Sequence, residues 1–568
     1  MKSEKKEFID YKNVKEIIKD AVNKYPDCVA FTIKNKDGKN VSYKKITYKQ
    51  LDEDINAFGT ALLSIGLKGK RVAIIGKNRY EWVLSYVSVL NGVGIAIPLD
   101  KGLPEQEIIT SLQRSKADVI IFEENMADLM KKIKDENTTN LKTFILMDDI
   151  EKYDFLNMPK LIEKGKEEVK KGNKEYIDSE IDSDKMSVIL FTSGTTSLAK
   201  AVMISHRNIA SNVAALRYEQ PFCSTDTNIA FLPFHHMYGS TCILLMISAG
   251  ANNVFCDGLR HIQENLKEYK VSVFVCVPLI LEAMHKKIMN TIDKTGQRKK
   301  FEVGKRLSKA LLKVGIDVRR KIFKTVLDEL GGEVRAVISG AAALNKQVAE
   351  DFNAFGIYTV EGYGLTETAP VVAGENIHTM GHNSVGKPLC NVEVKIEDPN
   401  EEGIGEIAVK GPNVMLGYYE NEEDTKAVLK DGWFYTGDLG YYNKKGYLCI
   451  AGRQKSVIVL KNGKNIYPEE LETLINTLPY VEESMVFGYP KGDDLIISAK
   501  IVYNKEYFKN TSKEDIEDRV WKDIKDINQE LTIFKHIKKI IVTDEPMIKT
   551  TTAKVKRFEE IKKILQGN

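Results

Sequence analysis

Short apolar runs alternate along the chain with stretches in which apolar residues recur every three or four positions. Arg71–Gly76, Ile95–Leu99, Val119–Phe122 and Thr143–Met147 are rich in Val, Ile and Leu, and they predict strands buried on both faces. Between such runs, Leu51, Ile55, Phe58 and Leu62 share one face of a helix predicted over 51–65, which Gly66 can close. The same alternation recurs around Val273–Val277, Val334–Ile338 and Ile357–Val360. It predicts an α/β fold of mainly parallel sheets covered by helices. From about Val385 the texture becomes strand-rich and broken by Gly, Pro and Asn, as in Gly405–Lys410 and Gly446–Ile450, which predicts a β-rich lobe. Beyond Lys455, Pro468 opens a helix expected to run to about Leu478, and Leu495–Tyr503 reads as a strand. This tail of roughly 110 residues can hold its own core as a small α+β domain.

The length of 568 residues exceeds what one hydrophobic core serves, so a large layered body and a smaller domain are expected. An apolar share of 43% and a charged share of 29% describe a folded enzyme-like chain. The balance of 83 basic and 80 acidic residues leaves +3, no electrostatic footprint for nucleic acid. Seven cysteines lie without CxxC spacing, mostly among apolar residues, and predict reduced, buried thiols in a cytosolic protein. Met1–Glu7 is charged with no apolar core after it, which argues against a secretory signal. The longest apolar stretches, Leu84–Leu99 and Tyr238–Ala251, are too short to cross a bilayer comfortably. A cytoplasmic location is expected. Lysine-rich tracts at 161–174 and 286–324 predict solvated helical faces and leave peripheral contact with anionic lipid open.

The densest candidate chemistry is the segment Phe191–Lys200, FTSGTTSLAK. Apolar strands are predicted on either side of it, with Ser205 capping a helix that begins near His206. A strand-loop-strand of consecutive hydroxyl and glycine residues presents backbone N–H groups and side-chain donors to phosphate oxygens. The spacing from Gly194 to Lys200 approaches the Walker pattern, but Ala199 replaces its second glycine, Ala201 its magnesium-binding hydroxyl, and no helix follows directly. A polar surface hairpin is the other reading of this loop.

The segment resembles the signature [YF]-T-S-G-T-T-G-x-P-K-G of the adenylate-forming superfamily, which contains acyl-CoA synthetases, luciferases and peptide-synthetase adenylation domains. It departs at Ser197, Ala199 and Ala201 and keeps Thr192, Ser193, Gly194, Thr195, Thr196 and Lys200. Further motifs follow in family order. Glu361-Gly362-Tyr363-Gly364-Leu365-Thr366-Glu367 is similar to YGxTE. The resemblance implies that Tyr363 packs on adenine, Thr366 meets the α-phosphate region, and Glu367, with Thr192, serves the Mg2+. Ser339-Gly340-Ala341-Ala342-Ala343-Leu344 resembles SGGAPL, bordering adenine and the acyl group. Thr436-Gly437-Asp438 resembles TGD, which alone would read as a turn; the resemblance puts Asp438 and Arg453 on the ribose. In Leu232–Gly239, His236, or in the other register His235, matches a histidine near the acid's carboxylate. Adjacent histidines are expected to point in different directions. Pro546–Val555 resembles P-x-T-x-x-G-K-[IV], with Lys554 bridging the carboxylate and the α-phosphate and Ala553 replacing the usual glycine.

The resemblance implies an AMP-forming acid-CoA ligase using ATP and Mg2+, with CoA as co-substrate. It also implies an N-terminal domain over 1–452, a hinge at 453–456 containing Lys455, and a small mobile C-terminal domain over 457–568 whose Gly463 loop approaches the pantetheine arm. The lysine-rich helical segment between Pro278 and Ser339, with Arg319–Phe323, resembles the insertion of long-chain fatty acyl-CoA synthetases, which favours a medium- to long-chain fatty acid. Transfer to an acyl carrier protein, luciferase-like oxidation, and a non-catalytic nucleotide-binding role stay open at this level, the last because of Ser197, Ala199, Ala201 and Ala553.

Overall fold

The computed structural model describes residues 7–38, 40–192, 199–377, 379–380, 384–461, 463–492, 494–549 and 555–566. The chain divides into two compact units: residues 1–192, 199–393 and 409–434 belong to the first, and residues 193–198, 394–408 and 435–568 to the second.

The first unit is built on two large sheets. One has eight strands in the spatial order Gly417–Tyr418, Lys200–Ser205, Met186–Thr192, Gly94–Leu99, Lys70–Ile75, Val119–Phe122, Thr143–Leu146 and Leu156–Asn157. The apolar runs pair in parallel, and antiparallel pairing enters only through the strand Lys200–Ser205. In the strand Lys70–Ile75, Val72 and Ile74 enter one core cluster while Ala73 and Ile75 enter another. Successive side chains point to opposite faces, so a sheet covered on both sides requires the unbroken apolar run seen in the sequence. The other sheet has nine strands, parallel from Val29–Asp37 through Tyr358–Gly364 and antiparallel at both ends.

The largest core cluster joins both sheets through the helices Tyr48–Ser64, Tyr80–Ser88, His206–Glu219 and Met237–Ser248. Leu51, Ile55, Phe58 and Leu62 are fully buried there, and Gly66 closes their helix at φ +81°. The helix Met237–Ser248 is apolar nearly all round, as burial on every side demands.

The second unit carries a three-stranded sheet in which Asp494–Tyr503 lies between Val481–Lys491, antiparallel, and Lys539–Thr543, parallel. Leu471, Ile475, Ile501, Val520 and Ile524 fill its core. One buried ion pair ties in the last helix, Arg557–Gln566: Lys500 Nζ lies 2.8 Å from Glu560 Oε2, with side-chain exposures of 7% and 0%.

Several boundaries differ from the sequence-based expectation for local reasons. The strand expected at Gly446–Ile450 is Leu448–Arg453, because Gly446 at φ +74° closes a turn in which its N–H donates to Asn443 O at 2.8 Å. The Pro468 helix ends at Ile475, and its last residues before Leu478 form turns. All seven cysteines are free, but Cys390 is exposed and four others are only half-buried. Among the described residues, no helix is long and apolar enough to cross a membrane.

Candidate active site

The hairpin opens at Thr192, whose cross-strand partner is Lys200; the Thr192 hydroxyl donates to Lys200 O at 3.4 Å. A strand follows the loop, so the helix of a Walker fold is absent at this position. Ala201, where the family signature has glycine, is a buried strand residue opposite Phe191. Its methyl sits in the core of the outer sheet face, so the substitution is accommodated by ordinary β-packing. Arg114 braces the hairpin base, donating to Ala199 O at 2.6 Å with its guanidinium 5.3 Å from the Phe191 ring centroid. Ser193, Gly194, Thr195, Thr196 and Ser197 lie outside the described residues.

Beside the hairpin, Tyr418 pairs with Val202, and the Lys200 ammonium lies 4.5 Å from the Tyr418 ring centroid and 3.0 Å from Asp424 Oδ2. The same tyrosine donates its phenol to Glu367 Oε1 at 3.1 Å. Backbone pairing and one aromatic ring therefore bring Thr192, Lys200 and Glu367 to one place, although 167 to 175 positions separate Glu367 from the other two in the sequence. Thr366-Glu367-Thr368 is a single 3-10 turn after the strand Tyr358–Gly364. It is held by Met415 N–H to Glu367 O at 2.8 Å and by Asn413 Nδ2 to Thr368 O at 3.0 Å. Gly364 is required where it stands, since a Cβ there would lie 1.9 Å from Pro370 O.

Parallel pairing sets Ser339 opposite Glu361, which places the turn at Gly340, Ala341 and Ala342 beside the Glu361–Gly364 segment. Glu361 Oε2 accepts from Leu344 N–H at 3.0 Å, and burial lifts its carboxyl to about 7 against that hydrogen bond, with Glu282 adding to the rise. Ala341 has φ +71°, the left-handed region, at the position where SGGAPL has a glycine. The hydroxyls of Ser339 and Tyr238 are buried without a partner in the described structure, and a Cβ on Gly340 would meet Tyr238 Oη at 2.7 Å.

The two histidines do not diverge. His235 Nε2 and His236 Nε2 are 3.1 Å apart, and His235 Nε2 is 3.5 Å from Asp100 Oδ2. His236 lies in extended backbone at φ −95°, ψ 143°, capping the helix Met237–Ser248, and this change of chain direction turns the two rings toward each other. Burial lowers the pKa of His235 despite the nearby carboxylate. The loop carrying both is fixed by Asn78, which donates to Leu232 O at 2.8 Å and accepts from Phe234 N–H at 3.0 Å.

In the second unit, Asp438 and Arg453 face each other across an antiparallel ladder, Arg453 Nε lying 2.6 Å from Asp438 Oδ1. Thr436-Gly437-Asp438 is thus part of the strand Trp433–Tyr442, not a turn. Gly437 keeps a turn-like φ of +70° inside it while its N–H donates to Glu406 Oε1 at 2.9 Å. Lys455 lies in the short turn Gln454–Ser456 that follows the strand Leu448–Arg453. Gly463, at φ +76°, closes a tight turn by donating to Leu460 O at 2.8 Å. Lys554 and Ala553 lie outside the described residues. Among the described residues on either side, Lys549 and Val555 pair as an antiparallel bridge and Ile548 N–H donates to Glu560 Oε1 at 2.6 Å.

Sequence reasoning missed Tyr418, Asp424 and Asn413. Tyr418 stands in no motif, and its strand is only two residues long, Gly417–Tyr418.

The AMP-binding enzyme family model matches residues 18–419, and the AMP-binding enzyme C-terminal domain model matches 455–563. The mouse (Mus musculus) protein named long-chain-fatty-acid–CoA ligase 5 is 31% identical over 576 aligned residues, covering 92% of this chain and 83% of the relative. A chloroplastic long-chain-fatty-acid acyl-carrier-protein ligase of Arabidopsis thaliana is 26% identical, covering 96% of this chain and 85% of that protein. The crystal structure of an anthranilate CoA ligase in complex with anthranoyl-AMP superposes with a TM-score of 0.78 at 18% identity, covering 98% of each chain, which establishes the shared fold.

The chain belongs to the AMP-binding enzyme family. It is an ATP-using, AMP-forming ligase of the acyl-CoA ligase group within that family.

Proposed function

We propose that this chain is a long-chain fatty acyl-CoA synthetase. A fatty acid's carboxylate oxygen attacks the α-phosphorus of ATP, the bond to pyrophosphate breaks, and acyl-adenylate forms. The CoA thiol then loses its proton and attacks the acyl carbon, releasing AMP. The observation that carries this reading is the 31% identity, over 92% of the chain, to a protein named a long-chain-fatty-acid–CoA ligase.

The family resemblance gives the residues their roles, and charge accounts for several of them. Both reactants of the first step are anionic, so cationic groups must face them. Lys200 is one, and it leaves Asp424 to meet phosphate; Lys554 is the other, against the carboxylate and the α-phosphate. Thr192 to Thr196 cradle the phosphates. Glu367 and the Thr192 hydroxyl fit Mg2+, which commonly takes one or two carboxylates and completes its shell with substrate oxygens and water. The described residues contain no cluster of three or more His, Cys, Asp or Glu that would make a closed cage. When bound, the cation neutralises phosphate charge. Gly340, Ala341, Ala342, Glu361, Gly362, Tyr363, Gly364 and Thr366 line adenine and the α-phosphate, Asp438 and Arg453 hold the ribose, and His236 borders the acid. A domain over 1–452 and another over 457–568 exchange the two half-reactions by rotation about 453–456 at Lys455, which brings Gly463 to the pantetheine arm. Transfer to an acyl carrier protein is the second reading, favoured by the plant relative.

The test is ATP–pyrophosphate exchange across carboxylic acids of increasing length, followed by thioester formation with CoA or with acyl carrier protein. Exchange that rises with chain length, and thioester on CoA, are expected. Exchange confined to short or aromatic acids overturns the fatty-acid assignment, and thioester on carrier protein alone decides for the second reading.

A further inference from the structure

The helix Arg298–Lys313 lies on the surface of the first unit with an unusual division of its faces. Phe301, Gly304 and Ser308 are buried and dock it to the body. About 120° round the helix from these, Val303, Leu307, Ala310 and Val314, the last just past the helix end, follow one another at spacings of four, three and four residues, which aligns them in one exposed stripe. Val303 is 63% exposed, Leu307 51% and Val314 71%; Ile316, just beyond the helix, is 52% exposed. Isolated exposed apolar residues need no explanation, but a continuous stripe about 17 Å long does.

The flanks of the stripe are basic. The sixteen residues of the helix include seven Lys or Arg and one acid, Glu302. At 100° per residue, Lys300 falls on one side of the stripe and Lys299, Arg306 and Lys313 on the other. Among the described residues these four have no carboxylate at ion-pair distance. The basic residues nearer the body are paired: Arg298 with Asp293 and Glu302, and Lys305 with the buried Asp351. Arg298 and Lys305 are thus compensated, whereas the cations that flank the exposed apolar side chains, and Lys309 beside them, have no ion pair among the described residues.

We propose that this face lies on an anionic lipid surface, with Val303, Leu307, Ala310 and Val314 entering the acyl boundary and Lys299, Lys300, Arg306 and Lys313 meeting headgroup phosphates. An apolar stripe between two cationic rows suits a planar interface that is apolar at depth and anionic at its rim. An acidic protein would account for the cations but not for a straight, unbroken apolar ridge. The attachment is peripheral, because the stripe occupies one face of a helix docked on the body by its other face.

The test is co-sedimentation of the full chain with vesicles of phosphatidylcholine alone and of equal parts phosphatidylcholine and phosphatidylglycerol. Binding is expected to the anionic vesicles only and to weaken with salt. Lys300→Ser and Arg306→Ser should each weaken it roughly fivefold, and the pair Val303→Asp with Leu307→Asp should abolish it. Adenylation of a soluble acid and thermal melting should stay at the wild-type level, which separates lost docking from misfolding. Equal binding to both vesicle types, absence of binding, or binding unchanged by the variants overturns the proposal. Capture of an acidic carrier protein by this face without vesicle binding overturns it in favour of a protein partner.

Discussion

In the first unit, Glu367 and Thr368 are held by neutral groups, the Tyr418 phenol, the Met415 amide and the Asn413 side chain. In the second unit, Asp438 faces Arg453, Lys549 faces Glu483, Arg557 faces Glu472, and Lys500 faces Glu560. Neutral hydrogen bonds hold geometry over a wide pH range and contribute about 1 kcal/mol each. Buried ion pairs contribute little net stability, yet losing one partner is costly, because the other charge stays desolvated. The first arrangement suits a carboxylate that must stay placed. The second makes the small unit sensitive to charge and to acid.

The sharpest way to break the comparison is Lys500→Met. Glu560 would remain fully buried with the Ile548 N–H as its hydrogen-bond donor among the described residues, and a loss of about 3–5 kcal/mol is expected by thermal or urea unfolding of that unit. The double variant Lys500→Met, Glu560→Leu should recover most of the loss, and recovery of none of it would show that the pair is not the cause. The acid dependence follows from the same pair. Burial raises the Glu560 pKa, but Lys500 and the Ile548 N–H outweigh it and hold it below the ordinary value. A depressed carboxyl contributes stability above its unfolded value of about 4.3 and loses it as pH falls through the folded value. Melting of the small unit should therefore weaken below about pH 4.

Next in size is Lys554→Ala. Removing a cation that faces developing charge should slow adenylation by about 10²–10³-fold. In single-turnover experiments, thioester formation from supplied acyl-AMP should persist. Equal loss in both half-reactions would remove the assignment of this lysine to the first step.

The two units also differ in how much could be read beforehand. Buried strands such as Lys70–Ile75 were legible because both their faces are covered, which writes a continuous apolar run into the sequence. The Ser205 cap was legible because capping is local, and its hydroxyl does accept from Asn208 N–H. Tyr418 was not legible: its role depends on antiparallel pairing with Val202, a contact between segments more than two hundred residues apart. The convergence of His235 and His236 escaped for a related reason, since ring direction depends on the backbone at a helix cap. Thr436–Asp438 carries turn residues inside a strand because Gly437 takes a positive φ there. Lys500 and Glu560 look like ordinary surface charges until the last helix covers the sheet.

Glu361→Gln tests the one strongly shifted carboxyl among the first unit's candidate site residues. Its raised pKa means that the folded state holds the proton more tightly than the unfolded state does. Stability is then greatest below the unfolded value near 4.3 and declines as pH rises to about 7. Glutamine keeps an oxygen for the Leu344 N–H and cannot ionise. The variant should match the wild type near pH 4 and exceed it by on the order of 3 kcal/mol at pH 8, read from paired melts. A constant difference at both pH values would mean that the carboxyl is not titrating where its burial indicates.

The smallest effect expected is that of Tyr418→Phe, and it bears most directly on what neutral anchoring does. The ring stays under the Lys200 ammonium, so the cation–π contact is kept and only the hydrogen bond to Glu367 Oε1 is lost. One such bond to a carboxylate at a partly exposed site is worth about 1 kcal/mol, which corresponds to roughly a fivefold fall in ATP–pyrophosphate exchange. The melting temperature should hardly move, because the turn keeps its bonds to Met415 and Asn413. If exchange is unchanged, the backbone alone orients Glu367 and the phenol is incidental. If exchange falls fivefold and Tyr418→Ala lowers it much further, the ring and the hydroxyl make separate contributions, one by placing the lysine and one by aiming the carboxylate.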